Sequence, residues 1–155
     1  NEYDIASFYT NNVNSFTPRK AKDFIEKAYQ IYSDLDQELL LILSDAIDYG
    51  HFGLADFIVK NYDRDTISTF LTDILIRNNH DHDDFSRQIS YMIGRKIRPD
   101  YVALFSASIA NNTILNIIKS FVAGNIYPDE SDLVILNRRF SDIEIYEDII
   151  KLIDQ

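Results

Sequence analysis

Apolar residues recur at intervals of three and four along most of the chain, which is the period of an amphipathic α-helix. The strict alternation of apolar and polar positions that marks a strand never persists for long. Short breaks separate the apolar stripes, and many of them contain glycine, asparagine or proline. The pattern predicts an all-α protein of about eight or nine helices joined by loops of about two to seven residues.

The strength of the period divides the chain into two parts. Residues 1–16 lack a sustained period and predict an N-terminal arm or short helix, whereas residues 17–155 predict a helical repeat domain. The clearest helix start is Thr17 followed by Pro18, because threonine caps the first turn and proline has no N–H to lose there. The clearest helix end is Gly50, which adopts the left-handed conformation cheaply.

Three further breaks are less sharp. The polar tract 78–84 predicts a loop, after which a helix begins at Phe85 and closes at Gly94. Asp100 is expected to open a helix that reaches Ile109, with its corner at Asn111 and the end of the following helix at Gly124.

A two-helix segment around the Gly50-His51 corner recurs in weaker form. Its residues fit L-x-x-A in the first helix, G-H at the corner and an apolar triplet in the second helix: Leu43, Ala46, Gly50, His51, Leu54, Phe57 and Ile58. The first-helix portion returns at Leu104 and Ala107, about two periods of roughly 33 residues later. A hairpin of this kind has an apolar face that it cannot bury alone, so its recurrence predicts a stack of antiparallel helix pairs.

On these residues the chain resembles a degenerate ankyrin-repeat array. The resemblance implies an ankyrin-like α-solenoid that binds another protein and has no catalytic chemistry of its own. The composition, rich in Asn and Ile, is similar to that of arrays in effectors of intracellular bacteria and in large eukaryotic viruses, which implies work in a host-cell cytoplasm after secretion. Any helical hairpin needs such residues, so another helical repeat or a globular bundle also fits the pattern.

Charge and composition restrict the classes of molecule that the chain is expected to bind. The chain has 25 Asp and Glu against 15 Lys and Arg, a net charge of -10, which opposes binding to nucleic acid and to anionic membranes. No apolar run approaches the roughly 18 residues of a membrane span, and the start of the chain lacks a signal-peptide pattern, so we expect a soluble protein. We therefore expect a basic or mixed-charge protein partner.

The lack of cysteine and the first residue of the chain bear on which catalytic groups the protein can contain. Since there is no cysteine, a disulfide, a thiolate metal site and a cysteine nucleophile are excluded, and we expect no cofactor. The chain begins at Asn1 and not at Met, so it is interpreted as a piece of a longer protein whose enzyme module could lie outside it.

One polar cluster offers an enzymatic alternative. His80, His82, Asp83 and Asp84 carry imidazole and carboxylate groups that bind zinc, manganese or iron, so a helical metal-dependent hydrolase is the alternative function. The residues are nearly consecutive in a predicted loop, where few of them could face one ion. A solvated acidic loop whose aspartates cap the next helix explains the cluster more simply.

Aromatic residues near predicted corners and helix ends are the better indication of binding. Ten Tyr and ten Phe exceed what a small α-helical core needs, and tyrosine is favoured at interfaces. The predicted partner-binding residues are Tyr49, Phe52, Tyr62, Tyr91 and Tyr101. A third interpretation makes the chain an inert spacer or an oligomerisation segment.

Overall fold

A computed structural model describes residues 2–32, 35–77, 82–139 and 143–154, and these residues form ten α-helices and one 3-10 turn, Val13–Ser15, without a strand. The predicted all-α class is therefore confirmed. The helices are α1 (Glu2–Asn11), α2 (Pro18–Ile31), α3 (Asp36–Asp48), α4 (Phe52–Lys60), α5 (Arg64–Arg77), α6 (His82–Gly94), α7 (Tyr101–Ser106), α8 (Asn111–Ala123), α9 (Glu130–Arg139) and α10 (Ile143–Ile153). None of these helices combines the length and the apolar composition needed to cross a membrane.

The chain forms two compact units, residues 1–70 and 71–155, and the boundary falls within α5. In the first unit, α1 packs against α3, α2 packs against α4, and α3 packs against α4. The segment predicted as an arm or short helix is the helix α1, and Tyr9 on it is fully buried. The centre of this unit is aliphatic, with Ile25, Leu39, Leu43, Ala46, Ile47, Leu54 and Ile58 fully buried.

In the second unit, α6 packs against α8, α7 against α9, and α8 against α10. Its fully buried side chains include Leu75, Met92, Leu104, Phe105, Ile117, Phe121 and Leu136. Apart from α3 with α4, the main helix contacts within each unit therefore join a helix to the next but one along the chain. Packing of this kind buries the apolar stripe of one helix on that of a non-adjacent helix.

Aspartate caps begin three helices in the same way. Each of Asp63, Asp100 and Asp129 accepts a hydrogen bond from the backbone N–H three residues later, at 2.7, 3.1 and 2.9 Å. The predicted cap at Asp100 is confirmed, and Thr17 likewise accepts from the N–H of Lys20 at the start of α2.

Three helices each end in the same kind of left-handed turn. After α3, Gly50 has φ +76°, its N–H donates to Ile47, and the next N–H donates to Ala46, which is the Schellman pattern. The same pair of bonds follows α6 and α8, where the left-handed residues are Lys96 and Asn125. Gly50 thus ends its helix as predicted.

Gly94 and Gly124 lie at the ends of α6 and α8 as predicted, but unlike Gly50 neither has a positive φ. Gly94 is the last residue of α6, and Lys96 makes the turn. At Gly124, a Cβ would lie 2.5 Å from Cγ2 of Ile93, so the glycine is required for close packing of the end of α8 against α6.

Two predicted loops also differ from the structure. Residues 82–84 belong to the first turn of α6 and not to a loop. The helix opened by Asp100 ends at Ser106 and does not reach Ile109, and Asn111 begins α8. The guanidinium of Arg139 donates hydrogen bonds to the carbonyls of residues 105, 107 and 109, so this side chain supplies the donors that a longer helix would have provided.

Candidate functional site

The candidate site is a cavity between α1 and α3, in the first unit. Its volume is about 220 Å³, and it is lined by Ala6, Ser7, Thr10, Asn11, Glu38 and Leu41. Because Ser7, Thr10 and Asn11 lie at helical spacing, α1 presents two hydroxyls and an amide along one wall. The wall from α3 contributes a carboxylate and the 59% exposed side chain of Leu41.

Glu38 is the unusual residue of this cavity. Glu38 is only 7% exposed, and its Oε2 is buried without a hydrogen-bond partner among the described residues. A glutamate three residues into a helix can cap the N–H of the N-cap residue, but the N–H of Leu35 already donates to Tyr32. The helix start favours a negative charge here, yet leaves this oxygen unsatisfied.

A second carboxylate lies next to the cavity wall. Thr10 donates a hydrogen bond of 3.2 Å to Oδ2 of Asp45, which joins α1 to α3 one to two turns beyond Glu38. Burial raises the pKa of Asp45 above its ordinary value, and the bond from Thr10 offsets part of that rise. The two carboxylates therefore differ, since that of Asp45 has a protein donor.

The helices around the cavity have one sign of charge. The sequences of α1 and α3 contain six acidic residues, and neither helix contains Lys or Arg. Glu38, Asp45 and Tyr49 follow one another at i, i+7 and i+11, which places them along one side of α3. A cation in the cavity would meet negative charge without a competing protein cation from either helix.

A buried hydrogen bond holds α1 in place beside the cavity. The hydroxyl of Tyr9 lies 2.7 Å from Nδ1 of His51, whose residue is 2% exposed. Burial lowers the pKa of His51, and a hydrogen bond to the backbone of Phe16 opposes that change. Burial also raises the pKa of Tyr9. The corner histidine thus has a structural role, because it fixes the turn after α3 to α1.

The predicted aromatic residues fall into two groups. Tyr49 and Phe52 are exposed, Tyr62 is half-buried, and their contact with a partner stays a prediction. Tyr91 and Tyr101, also predicted to bind a partner, are 2% and 1% exposed, so neither presents its side chain to a partner in this structure.

Internal contacts explain the burial of both tyrosines. Arg95 lies over the ring of Tyr91 at 4.3 Å from its centroid. The hydroxyl of Tyr101 donates to the carbonyl of Ile126 at 2.7 Å, and its ring stacks on Phe105. Tyrosines at helix ends serve the core here because each finds an internal partner for its polar end or its ring.

The predicted metal ligands cannot be placed. His80 lies outside the described residues, as do the side chains of His82, Asp83 and Asp84. Among the side chains that are described, no group of three or more imidazoles and carboxylates is arranged to hold a metal ion. The hydrolase alternative therefore gains no support from the described geometry.

Arg98 is held by contacts within the second unit. Arg98 pairs with Asp132, which is 5% exposed, and also donates to the carbonyl of Tyr127 at 3.3 Å. This ion pair connects the loop before α7 to the start of α9. We assign Arg98 a structural role on these contacts.

Sequence reasoning missed Glu38, although a signal was present. Leu35, Glu38 and Ile42 recur at i, i+3 and i+7, and the two apolar residues are buried. A glutamate on the buried side of a helix is rare unless it has a partner. Its position in the stripe therefore indicated either an internal partner or a ligand.

Comparison with protein-family models, with curated proteins and with solved structures finds no match for this chain.

Proposed function

We propose that this chain is a non-enzymatic protein-binding scaffold that holds a basic segment of a partner protein on the α1 and α3 face of its first unit. The observation that carries the proposal is the cavity between two helices that hold only acidic charges, with exposed Leu41 at its edge. Protein interfaces combine an apolar centre with complementary charge at the rim, and this face offers both.

We also propose that each unit is built as ankyrin-like stacked helix pairs. Contacts between helices that are next but one along the chain, as in α1 with α3 and α7 with α9, support this arrangement. The repeated aspartate caps and left-handed turns support it further. Stacked pairs suit binding because their exposed surfaces are held by a rigid core.

Exposed aromatic residues extend the proposed surface. Tyr49 directly follows α3 on the side of the helix that holds Glu38, and Phe52 begins α4 after the corner. Both are exposed, and both belong to the unit that holds the cavity. The proposed partner would be a protein of the compartment in which the chain works, and the host-cell origin stays part of the proposal.

A peptide library tests the proposed function. Basic, acidic and neutral peptides would be screened against the full chain and against Tyr49→Ala, Phe52→Ala and the double variant. We expect the basic peptides to bind, and the double variant to lose about tenfold or more in affinity, because truncated aromatic anchors commonly cost above 1 kcal/mol. Tyr127→Ala is the matched control, since Tyr127 is exposed in the second unit.

Two results would contradict the proposed function. One is binding of acidic peptides in preference to basic ones. The other is equal loss of affinity in Tyr127→Ala and in the double variant of the first unit, which would show that the Tyr49 and Phe52 surface is not the binding face.

A further inference from the structure

We propose that the cavity between α1 and α3 is a subsite for one cationic side chain, Lys or Arg, of the bound partner, with Glu38 as its counter-charge. The inference rests on the proposed function, because it names the chemical group that the partner inserts. It adds a defined pocket and a defined counter-ion to the acidic surface of α1 and α3.

The unsatisfied oxygen of Glu38 is the first reason. A buried carboxylate oxygen without a donor is costly, and proteins normally satisfy such atoms. Oε2 of Glu38 has no hydrogen-bond partner among the described residues, while its residue lines an open cavity. Because Oε2 is itself closed to solvent, an ammonium or guanidinium group in the cavity reaches it only when the Glu38 carboxylate turns towards the cavity, and then supplies the missing donor and the opposite charge together.

The walls of the cavity fit the remainder of such a side chain. Leu41 and Ala6 offer apolar surface to an alkyl stem. Ser7 and Asn11 place oxygen atoms on the opposite wall, where further N–H donors of the cation can be accepted. Asp45 adds negative charge beside Thr10.

The cavity is small and open to solvent. A volume of about 220 Å³ is below the roughly 300–1,000 Å³ of pockets that enclose whole small-molecule ligands. The cavity therefore suits one side chain whose main chain remains outside on the protein surface. This is the reason for choosing a residue of a partner protein over a free metabolite.

Blocked amino acids test the subsite directly. N-acetyl-lysine methylamide and N-acetyl-arginine methylamide would be titrated into the isotope-labelled full chain, with N-acetyl-norleucine methylamide as the uncharged analogue. We expect shifts of the NMR signals of Ser7, Thr10, Asn11 and Leu41 with the two cations, and an affinity at least about tenfold weaker for norleucine.

Charge-removing variants assign the effect to Glu38. Glu38→Gln keeps the shape of the side chain, and we expect it to weaken binding of the lysine analogue by about tenfold or more. Glu147→Gln removes one exposed carboxylate from α10 and is the matched control, with unchanged binding expected. Amide spectra of both variants report whether the fold is kept.

Two outcomes of these titrations overturn the subsite: the norleucine analogue binds as tightly as the lysine analogue, or the wild type and a folded Glu38→Gln variant bind lysine with equal affinity. A further titration uses a free diamine, and the subsite is also overturned if the diamine binds more than tenfold tighter than blocked lysine. Failure of the proposed function looks different. If lysine binds beside Glu38 but no library peptide binds, the subsite holds and the scaffold proposal fails. If peptides bind through Tyr49 and Glu38→Gln changes nothing, the scaffold proposal holds and the subsite fails.

Discussion

At the residue scale, two buried polar side chains of the first unit differ in how they are satisfied. His51 has the hydroxyl of Tyr9 at 2.7 Å and the backbone of Phe16 as hydrogen-bond partners. Glu38 is nearly as buried, and its Oε2 has no partner among the described residues. The first arrangement stabilises the fold, whereas the second costs stability and offers a binding group.

Glu38→Leu should stabilise the protein by about 1 kcal/mol, because it replaces an unsatisfied buried carboxylate with an apolar group of similar length. Urea unfolding of the full chain measures the change. Glu147→Leu, at an exposed position of α10, is the control and should change the free energy of unfolding by less than about 0.5 kcal/mol. A clear loss of stability in Glu38→Leu would mean that the carboxylate has an internal structural role.

Protonation of His51 should destabilise the fold. Since burial lowers its pKa from the ordinary value of 6.5, the unfolded chain takes up this proton first as the pH falls. The stability contributed by neutral His51 is complete above pH 6.5 and declines as the pH falls from 6.5 towards the lower pKa of the folded state.

Urea unfolding at pH 7.5 and 5.5 measures the effect of His51. We expect the free energy of unfolding to fall more between these pH values in the wild type than in His51→Gln, in which this group cannot titrate. The carboxylates, including Asp45, titrate in both proteins and cancel from the comparison. An equal pH dependence in the two proteins would contradict the assignment.

At the scale of the elements, the sequence pattern predicted helices better than their ends. Thr17 and Gly50 were predicted correctly because their signals are local: a side chain that caps its own helix and a residue that tolerates positive φ. The end of α7 could not be predicted, since Arg139 donates hydrogen bonds to its corner from 30 to 34 residues away. Lys96 likewise takes a left-handed turn that glycine usually takes.

In the candidate site, too, local signals were predicted correctly and contacts between distant residues were not. Exposure of Tyr49 and Phe52 agrees with their positions at a corner, but Tyr91 and Tyr101 find partners that only the folded chain brings near. The cavity needed the packing of α1 on α3, and no local pattern in residues 1–16 revealed it.

Substitution by alanine should change the free energy of unfolding in opposite directions at the two glycines that lie at the ends of α6 and α8. Gly124→Ala should destabilise the protein by about 1–3 kcal/mol, because its Cβ would lie 2.5 Å from Ile93. Gly94→Ala should be neutral or stabilise by up to about 1 kcal/mol, since no atom lies within 4 Å of the added Cβ and the residue is helical. Thermal unfolding of both variants tests this, and equal losses would contradict the close-packing role of Gly124.

At the scale of the whole molecule, charge is expected to govern association. The net charge of -10 attracts a basic partner over distances that salt screens, and the helices of the cavity contribute only negative groups. Association should therefore depend on ionic strength mostly through the rate at which the partner arrives.

Affinity for a basic peptide should fall roughly tenfold when NaCl is raised from about 0.05 to about 0.3 M. Stopped-flow measurements should assign most of the loss to the association rate. A salt-independent affinity would indicate that binding is apolar and that the acidic helices have no part in it.

The most direct test of the account is to map where a basic peptide binds on the full chain. A blocked hexapeptide of alternating lysine and leucine would be titrated into the isotope-labelled protein and into Glu38→Gln. We predict that the shifted amide signals concentrate in two segments, α1 from Ala6 onwards and α3 up to Tyr49. We also predict that Glu38→Gln weakens these shifts. Shifts confined to residues 71–154, or an unchanged response in Glu38→Gln, would contradict the account.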